Sequence, residues 1–296
     1  MTVPRLACLS LLLLGPWLTA AVAQGGGEDP FAQGVAALDR KDYDRAIACF
    51  TACLGQNASD PVCLANRGLA HAARQQYDRA LADFTQAAQL NPRLALVWVN
   101  RGLVYASKQE YGLAIADYNQ AIRLEPQSPL AYYYRGNAHA DRREFKEALA
   151  DFSEVIRLEP GDAPALNNRG AAYANLHKYG LAVRDYTAAI KVDPKYAQAL
   201  NNFAWLLATC PEDSLRDGKR ALAHATSACA LTQWKAAGPL STLAAAHAEC
   251  GDFPQAREWE ARAIQAGFPD KADQEQARMR LKMYQAGKTY RDHVIP

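Results

Sequence analysis

The sequence lacks a charge imbalance: 33 Lys and Arg stand against 31 Asp and Glu in 296 residues, a formal net charge of +2. A chain this close to neutral exerts no general attraction on nucleic acid or anionic lipid, so neither is an expected partner. Long apolar runs are missing after residue 24, which leaves no later segment of the ~20 residues that a membrane-crossing helix needs. Catalytic motifs are absent too. There is no His-Glu-x-x-His, no Gly-x-Ser-x-Gly, no paired Cys-x-x-Cys and no phosphate-cradling glycine loop. The six histidines form no constellation, and His71 and His139 stand where Tyr105 and Tyr173 occur in neighbouring repeats, so they read as packing residues and not as metal ligands. Neither catalysis nor a cofactor or metal is therefore expected.

What the first residues contain is more telling. Met1 to Arg5 carry one basic side chain, Leu6 to Leu18 are almost wholly apolar, and Ala21-Val22-Ala23 puts small residues where a signal peptidase reads them. Gly15-Pro16 interrupts the apolar run, which favours a cleaved signal over an anchor. The expectation is a signal peptide over residues 1–23, a linker over 24–29 containing the flexible Gly25-Gly26-Gly27, and a periplasmic or extracellular protein. Export would retain Cys49, Cys53, Cys63, Cys210, Cys229 and Cys250 in a compartment that permits disulfides. Cys49 and Cys53 lie one helical turn apart and suit a bridge poorly, whereas Cys53 and Cys63 flank an inter-helix turn and can approach. For each cysteine the alternative is a small apolar residue filling a close helix contact. Asn57-Ala58-Ser59 would accept a glycan in a eukaryotic host.

The rest of the chain repeats itself. Arg67-Gly68, Arg101-Gly102, Arg135-Gly136 and Arg169-Gly170 recur every 34 residues, as do Pro92, Pro126, Pro160 and Pro194. The same step carries Tyr43, Tyr77, Tyr111, Phe145 and Tyr179; Ala46, Ala80, Ala114, Ala148 and Ala182; and Phe50, Phe84, Tyr118, Phe152 and Tyr186. Apolar and small residues recur at three- and four-residue steps on both sides of short polar turns such as Lys108-Gln109-Glu110, so each unit is a helical hairpin. Glycine in mid-helix costs about 1 kcal/mol against alanine, and close approach of the two helices is the reason to retain it. The aromatic sixteen residues later fills the gap, and the proline ends the second helix.

These spacings resemble the tetratricopeptide repeat over roughly residues 27–270. The resemblance implies an all-α fold, a right-handed superhelical solenoid of about seven helix-turn-helix units with a C-terminal capping helix. The array spans 30–268, with units near 27–60, 61–94, 95–128, 129–162, 163–196, 197–236 and 237–270; a capping helix over 269–287 and an extended tail over 288–296 follow. The sixth unit carries a long insertion, Cys210 to Gly218, between its helices, which a hairpin tolerates. The seventh recovers the register with Ala244, Phe253 and Ala256. The long sixth turn and charge-rich cap resemble a subclass of bacterial exported repeat proteins.

The departure from the family is arginine where leucine usually precedes the glycine. Arg67, Arg101, Arg135 and Arg169 are each followed sixteen residues later by Asp83, Asp117, Asp151 and Asp185, and where the arginine is missing the acid is missing too: Gln33 goes with Cys49, and Phe203 with His224. Structural ion pairs between helices are expected, arginine being suited to grip a carboxylate with two nitrogens.

In this family the first helix of each unit lines the concave side. Counting from the glycine puts Asn66, Val99, Asn100, Leu103, Tyr133, Tyr134, Asn137, Asn167, Asn168, Asn201, Asn202 and Trp205 there. An amide donates to and accepts from a peptide unit, so a row of them suits an extended backbone while Tyr and Trp take side chains; the alternative is that these amides bond neighbouring helices. The face offers few cations, which speaks against a terminal carboxylate as ligand. The implied function is an exported scaffold holding a protein or peptide in its groove. An accessory subunit, or a lipid or carbohydrate carrier using the same groove, is the alternative. The sequence leaves the oligomeric state open.

Overall fold

A computed structural model describes residues 29–292. The expected signal peptide and most of the linker lie outside the described residues, as does the end of the tail. All regular structure among the described residues is helical, and the chain forms an all-α solenoid of repeated helix pairs. It divides into two compact units between Glu154 and Val155.

The first unit contains α1 (Pro30–Asp39), α2 (Tyr43–Gln56), α3 (Pro61–Ala73), α4 (Tyr77–Leu90), α5 (Ala95–Ser107), α6 (Tyr111–Leu124), α7 (Pro129–Asp141) and most of α8 (Phe145–Leu158). Capping chemistry sets the boundaries. The Asp60 carboxylate accepts from the Val62 and Cys63 backbone N–H groups at 2.8 and 3.1 Å, and Pro61 supplies a first-turn residue that needs no N–H partner. At the other end of the pairs, α4 and α6 stop at Leu90 and Leu124, and Pro92 and Pro126 stand two residues beyond. Each hairpin turns through a left-handed residue: Lys41, Gln75, Gln109 and Arg143 have φ between 57° and 63°. The turn after α5 closes with Gln109 N–H on Ala106 O and Glu110 N–H on Tyr105 O, both 2.9 Å, which satisfies the helix's last carbonyls.

Between the helices of a pair the small residue and the aromatic interlock. A Cβ on Gly102 would stand 2.6 Å from Cε1 of Tyr118, and Ala114 across the interface is wholly buried. Phe50, Phe84, Tyr118 and Phe152 are each wholly buried, each contributing about 1.5–3 kcal/mol of apolar burial. Cys53 and Cys63 are joined in a disulfide across a Cα separation of 6.4 Å, tying the end of α2 to the start of α3.

The second unit contains α9 (Ala163–Asn175), α10 (Tyr179–Val192), α11 (Ala197–Thr209), α12 (Gly218–Leu231), α13 (Ala237–Glu249), α14 (Phe253–Ala266) and α15 (Lys271–Gln285). Gly170 stands over Tyr186 as Gly102 does over Tyr118, with a built Cβ 2.9 Å from Cε1. Pro211 stops α11, and the segment before α12 contains one 3-10 turn, Asp213–Leu215, so the insertion leaves both helices intact. Helix α15 packs on α14 and buries Tyr284 among Ala244, Ala248 and Ala256, which covers the end of the apolar stack.

Candidate binding surfaces

The arginines of the repeat meet the aspartates sixteen residues on. In the first unit Arg67 Nε and Nη2 donate to the two Asp83 oxygens at 2.9 and 2.8 Å, Arg101 to Asp117 at 2.8 and 2.8 Å, and Arg135 to Asp151 at 2.9 and 2.5 Å. In the second unit Arg169 holds Asp185 at 2.7 and 2.8 Å. The aspartates are buried, and these hydrogen bonds hold each guanidinium's proton more tightly than usual against the opposing effect of burial. The remaining nitrogen reaches the preceding pair: Arg101 Nη1 donates to Thr85 Oγ1 at 3.2 Å and Arg135 Nη1 to Asn119 Oδ1 at 2.5 Å. Aromatic faces complete the sites, Trp98 lying 4.8 Å from the Arg101 guanidinium and Tyr132 5.5 Å from that of Arg135. Arg101 and Arg135 are thereby committed to holding their own hairpin and the one before it. Where the pair is replaced, the Phe203 and His224 rings lie 5.2 Å apart, so a ring contact stands in for the ion pair. Burial, helped by Arg220, lowers the His224 pKa.

Within each unit the first helices touch one another, α1 to α3, α3 to α5 and α5 to α7 in one, α9 to α11 and α11 to α13 in the other. That contact covers much of the face expected to be open. Val99, Leu103 and Tyr134 belong to one buried cluster with Tyr118, and Asn66, Asn100, Asn137, Asn167 and Asn202 are buried as well. Three of the amides are used internally, Asn66 Nδ2 donating to Val62 O at 2.9 Å and Asn202 Nδ2 to Asn167 Oδ1 at 3.0 Å across α9 and α11, while neither amide atom of the buried Asn100 has a hydrogen-bond partner among the described residues. Tyr133, Asn168, Asn201 and Trp205 keep part of their surface accessible.

Two polar clusters in the second unit have no counterpart in the repeat. The Glu260 carboxylate, wholly buried, accepts from Ser241 Oγ at 2.9 and 2.7 Å and from Arg280 Nε at 3.0 Å, while Arg280 Nη2 donates to Ser241 Oγ at 3.0 Å. Burial raises the Glu260 pKa, opposed by Arg280 and Ser241. The network fastens α15 to α13 and α14. In the second cluster Glu249 receives Arg216 from the insertion at 3.0 Å and Arg291 from the tail at 2.8 Å. As for metal, Cys53, Asp60 and Cys63 converge with ligand-like spacing, but both sulfurs are consumed by the disulfide.

Family models described as TPR repeat match residues 68–109 and 102–142, and others described as tetratricopeptide repeat match 129–162 and 163–196. Residues 68–196 are tetratricopeptide repeats. Solved structures with a similar fold include the APC/C hetero-tetramer Cut9-Hcn1, at TM-score 0.68 and 15% identity over 86% of this chain and 48% of that one. A tetratricopeptide repeat protein from Parabacteroides merdae matches at TM-score 0.60 and 16% identity over 86% of this chain and 97% of that one. MamA matches at TM-score 0.52 and 22% identity over 56% of this chain and 96% of that one. At these identities the likeness is one of fold. No curated protein matches the sequence.

The tetratricopeptide register also explains what sequence reasoning passed over. Glu260 lies sixteen residues after Ala244, as Phe84 does after Gly68, so an acid stands at the position of the buried aromatic. A charge in that place signals a buried partner, which Arg280 supplies. Nothing periodic announced Glu249, Arg216 and Arg291, which meet only because the insertion and the tail fold onto α13.

Proposed function

We propose that this tetratricopeptide-repeat protein is an exported scaffold that holds a polypeptide segment along the wall formed by the first helices within a unit. The observation that carries the reading is the direct packing of first helix on first helix, which presets a surface bearing Tyr133 in one unit and Asn168, Asn201 and Trp205 in the other. A surface that is already ordered loses little conformational freedom on binding, so even a weakly complementary segment retains affinity. Aromatic side chains supply contact area, and amides that keep an accessible edge match the donors and acceptors of an extended backbone. The motif arginines take no part, since each is committed to its aspartate, and Arg101 and Arg135 to the preceding hairpin as well.

Export rests on the amino-terminal pattern, and the Cys53–Cys63 disulfide supports it, since such bonds persist in oxidising compartments. The test is selection of peptides from a displayed random library on the folded chain, followed by anisotropy titration. Tyr133→Ala and Asn168→Ala are expected to weaken the selected peptides about tenfold or more. Selected peptides that bind equally well to these variants, or a library that yields no binder, would refute the reading.

A further inference from the structure

The last described residues do not trail away from the fold. After Gln285 the chain turns through Gly287, at φ 65°, and lies across α11 and α13. Four separate contacts fix it. The Tyr290 ring sits 5.8 Å from the Trp205 ring, with the Arg280 guanidinium 5.2 Å from Trp205 and 5.6 Å from Tyr290, so one cation faces both rings. Arg291 pairs with Glu249 at 2.8 Å. The Asp292 carboxylate accepts from Trp205 Nε1 at 2.7 Å, and its backbone N–H donates to Thr209 O at 2.9 Å.

The receiving surface is built by this pair's departure from the repeat. After α5 the turn's own N–H groups reach back to the carbonyls of Ala106 and Tyr105. After α11 the insertion leads the chain away at Pro211, leaving the Thr209 carbonyl for an outside donor. The insertion also positions the acid: Arg216 holds Glu249 at 3.0 Å and donates to Cys210 O at 2.9 Å, which fixes the carboxylate that receives Arg291. Arg280 is itself immobilised by Glu260 and Ser241. Ring, cation, carboxylate and backbone amide of an extended segment each have a prepared counterpart.

We propose that this face of α11 and α13 is a binding site for an extended polypeptide segment presenting an aromatic residue, a cation and a carboxylate in succession, and that the chain's own tail occupies it in cis as a resident competitor. The inference rests on the scaffold reading and names the ligand chemistry for one part of the wall. A partner segment gains access by displacing residues 289–292, so affinity at this site is set by the difference between the partner's contacts and the tail's.

The experiment uses the full chain with Tyr290→Ala, Arg291→Ala and Asp292→Ala together, which keeps its length while removing the three side-chain anchors. The probe is a fluorescein-labelled peptide of residues 288–296, read by anisotropy, with circular dichroism and melting to show that the fold is retained. The triple variant is expected to bind the probe at least tenfold more tightly than the unaltered chain. Adding Trp205→Ala or Glu249→Ala is expected to remove that binding. Equal affinity in the triple variant and the unaltered chain, no measurable binding to the triple variant, binding that survives Trp205→Ala, or a tail-dependent dimer in sedimentation would each overturn the proposal. If library-selected peptides still bind through Tyr133 while this probe does not, the tail site alone fails; if the probe binds and the library yields nothing, the broader reading fails.

Discussion

Replacing Arg101 by leucine, the residue usual at this place in the family, is expected to be among the most damaging single changes in the first unit. Asp117 is 5% exposed, and both its oxygens are taken by Arg101 at 2.8 Å. Without the guanidinium a buried carboxylate has no counter-charge, a change that costs about 3–5 kcal/mol. The Thr85 hydroxyl would lose its bond from Arg101 Nη1 as well, loosening the contact with the preceding hairpin. Asp117→Ala should cost less, about 1–2 kcal/mol, because the guanidinium side chain, 15% exposed, can turn toward water. With both replaced no buried charge remains, and the double variant should lie about 1–2 kcal/mol below the parent, a coupling of about 2–6 kcal/mol. Denaturant unfolding of the four proteins provides the cycle. Hydrogen exchange at α5 and α6 should accompany it, because repeat arrays need not unfold in two states. Additive single effects, or a loss below about 1 kcal/mol for Arg101→Leu, would show that the pair is peripheral to stability.

Other consequences follow from the same geometry. Gly102→Ala places a Cβ 2.6 Å from the buried Tyr118 ring and should destabilise by about 1–3 kcal/mol, whereas Gly112→Ala, whose Cβ meets nothing within 4 Å, should leave the melting temperature unchanged or raised. Reducing the Cys53–Cys63 bridge, which spans a sequence separation of 10, should cost about 3 kcal/mol and increase exchange at the α2–α3 junction first. His224 has a folded pKa below its ordinary 6.5, so the unfolded chain takes up the proton more readily. Its contribution is fully present above 6.5 and lost as pH falls through the lowered value; His224→Phe should flatten stability against pH in that window, as measured by thermal unfolding.

The repeat made most of the architecture legible before any coordinates, because each 34-residue return of glycine, alanine, aromatic and proline fixes both the helical phase and the partner face. Pairing of Arg67 with Asp83 was readable for a related reason: the residues at both positions change together, down to Phe203 with His224 in the sixth hairpin. The inner wall was harder to read. Counting from Gly102 gives the direction of Val99 and Leu103 but not the closeness of the next first helix, which buries both in a cluster with Tyr134 and Ala138. Asn100 shows the same limit, lying 2% exposed where an accessible amide was expected. The Ser241–Glu260–Arg280 network and the seat of the tail lie where the register weakens, so long-range contacts and not periodicity determine them.

The claim that the first helices form a wall that holds an extended polypeptide is tested most directly by photo-crosslinking. A benzophenone residue is placed at Tyr133 or, as a control, at the exposed Lys146 of α8, in chains bound to a library-selected peptide. Mass spectrometry should find peptide adducts at position 133 and none at 146. Adducts at 146 with none at 133 would place the ligand on the second helices and contradict the account.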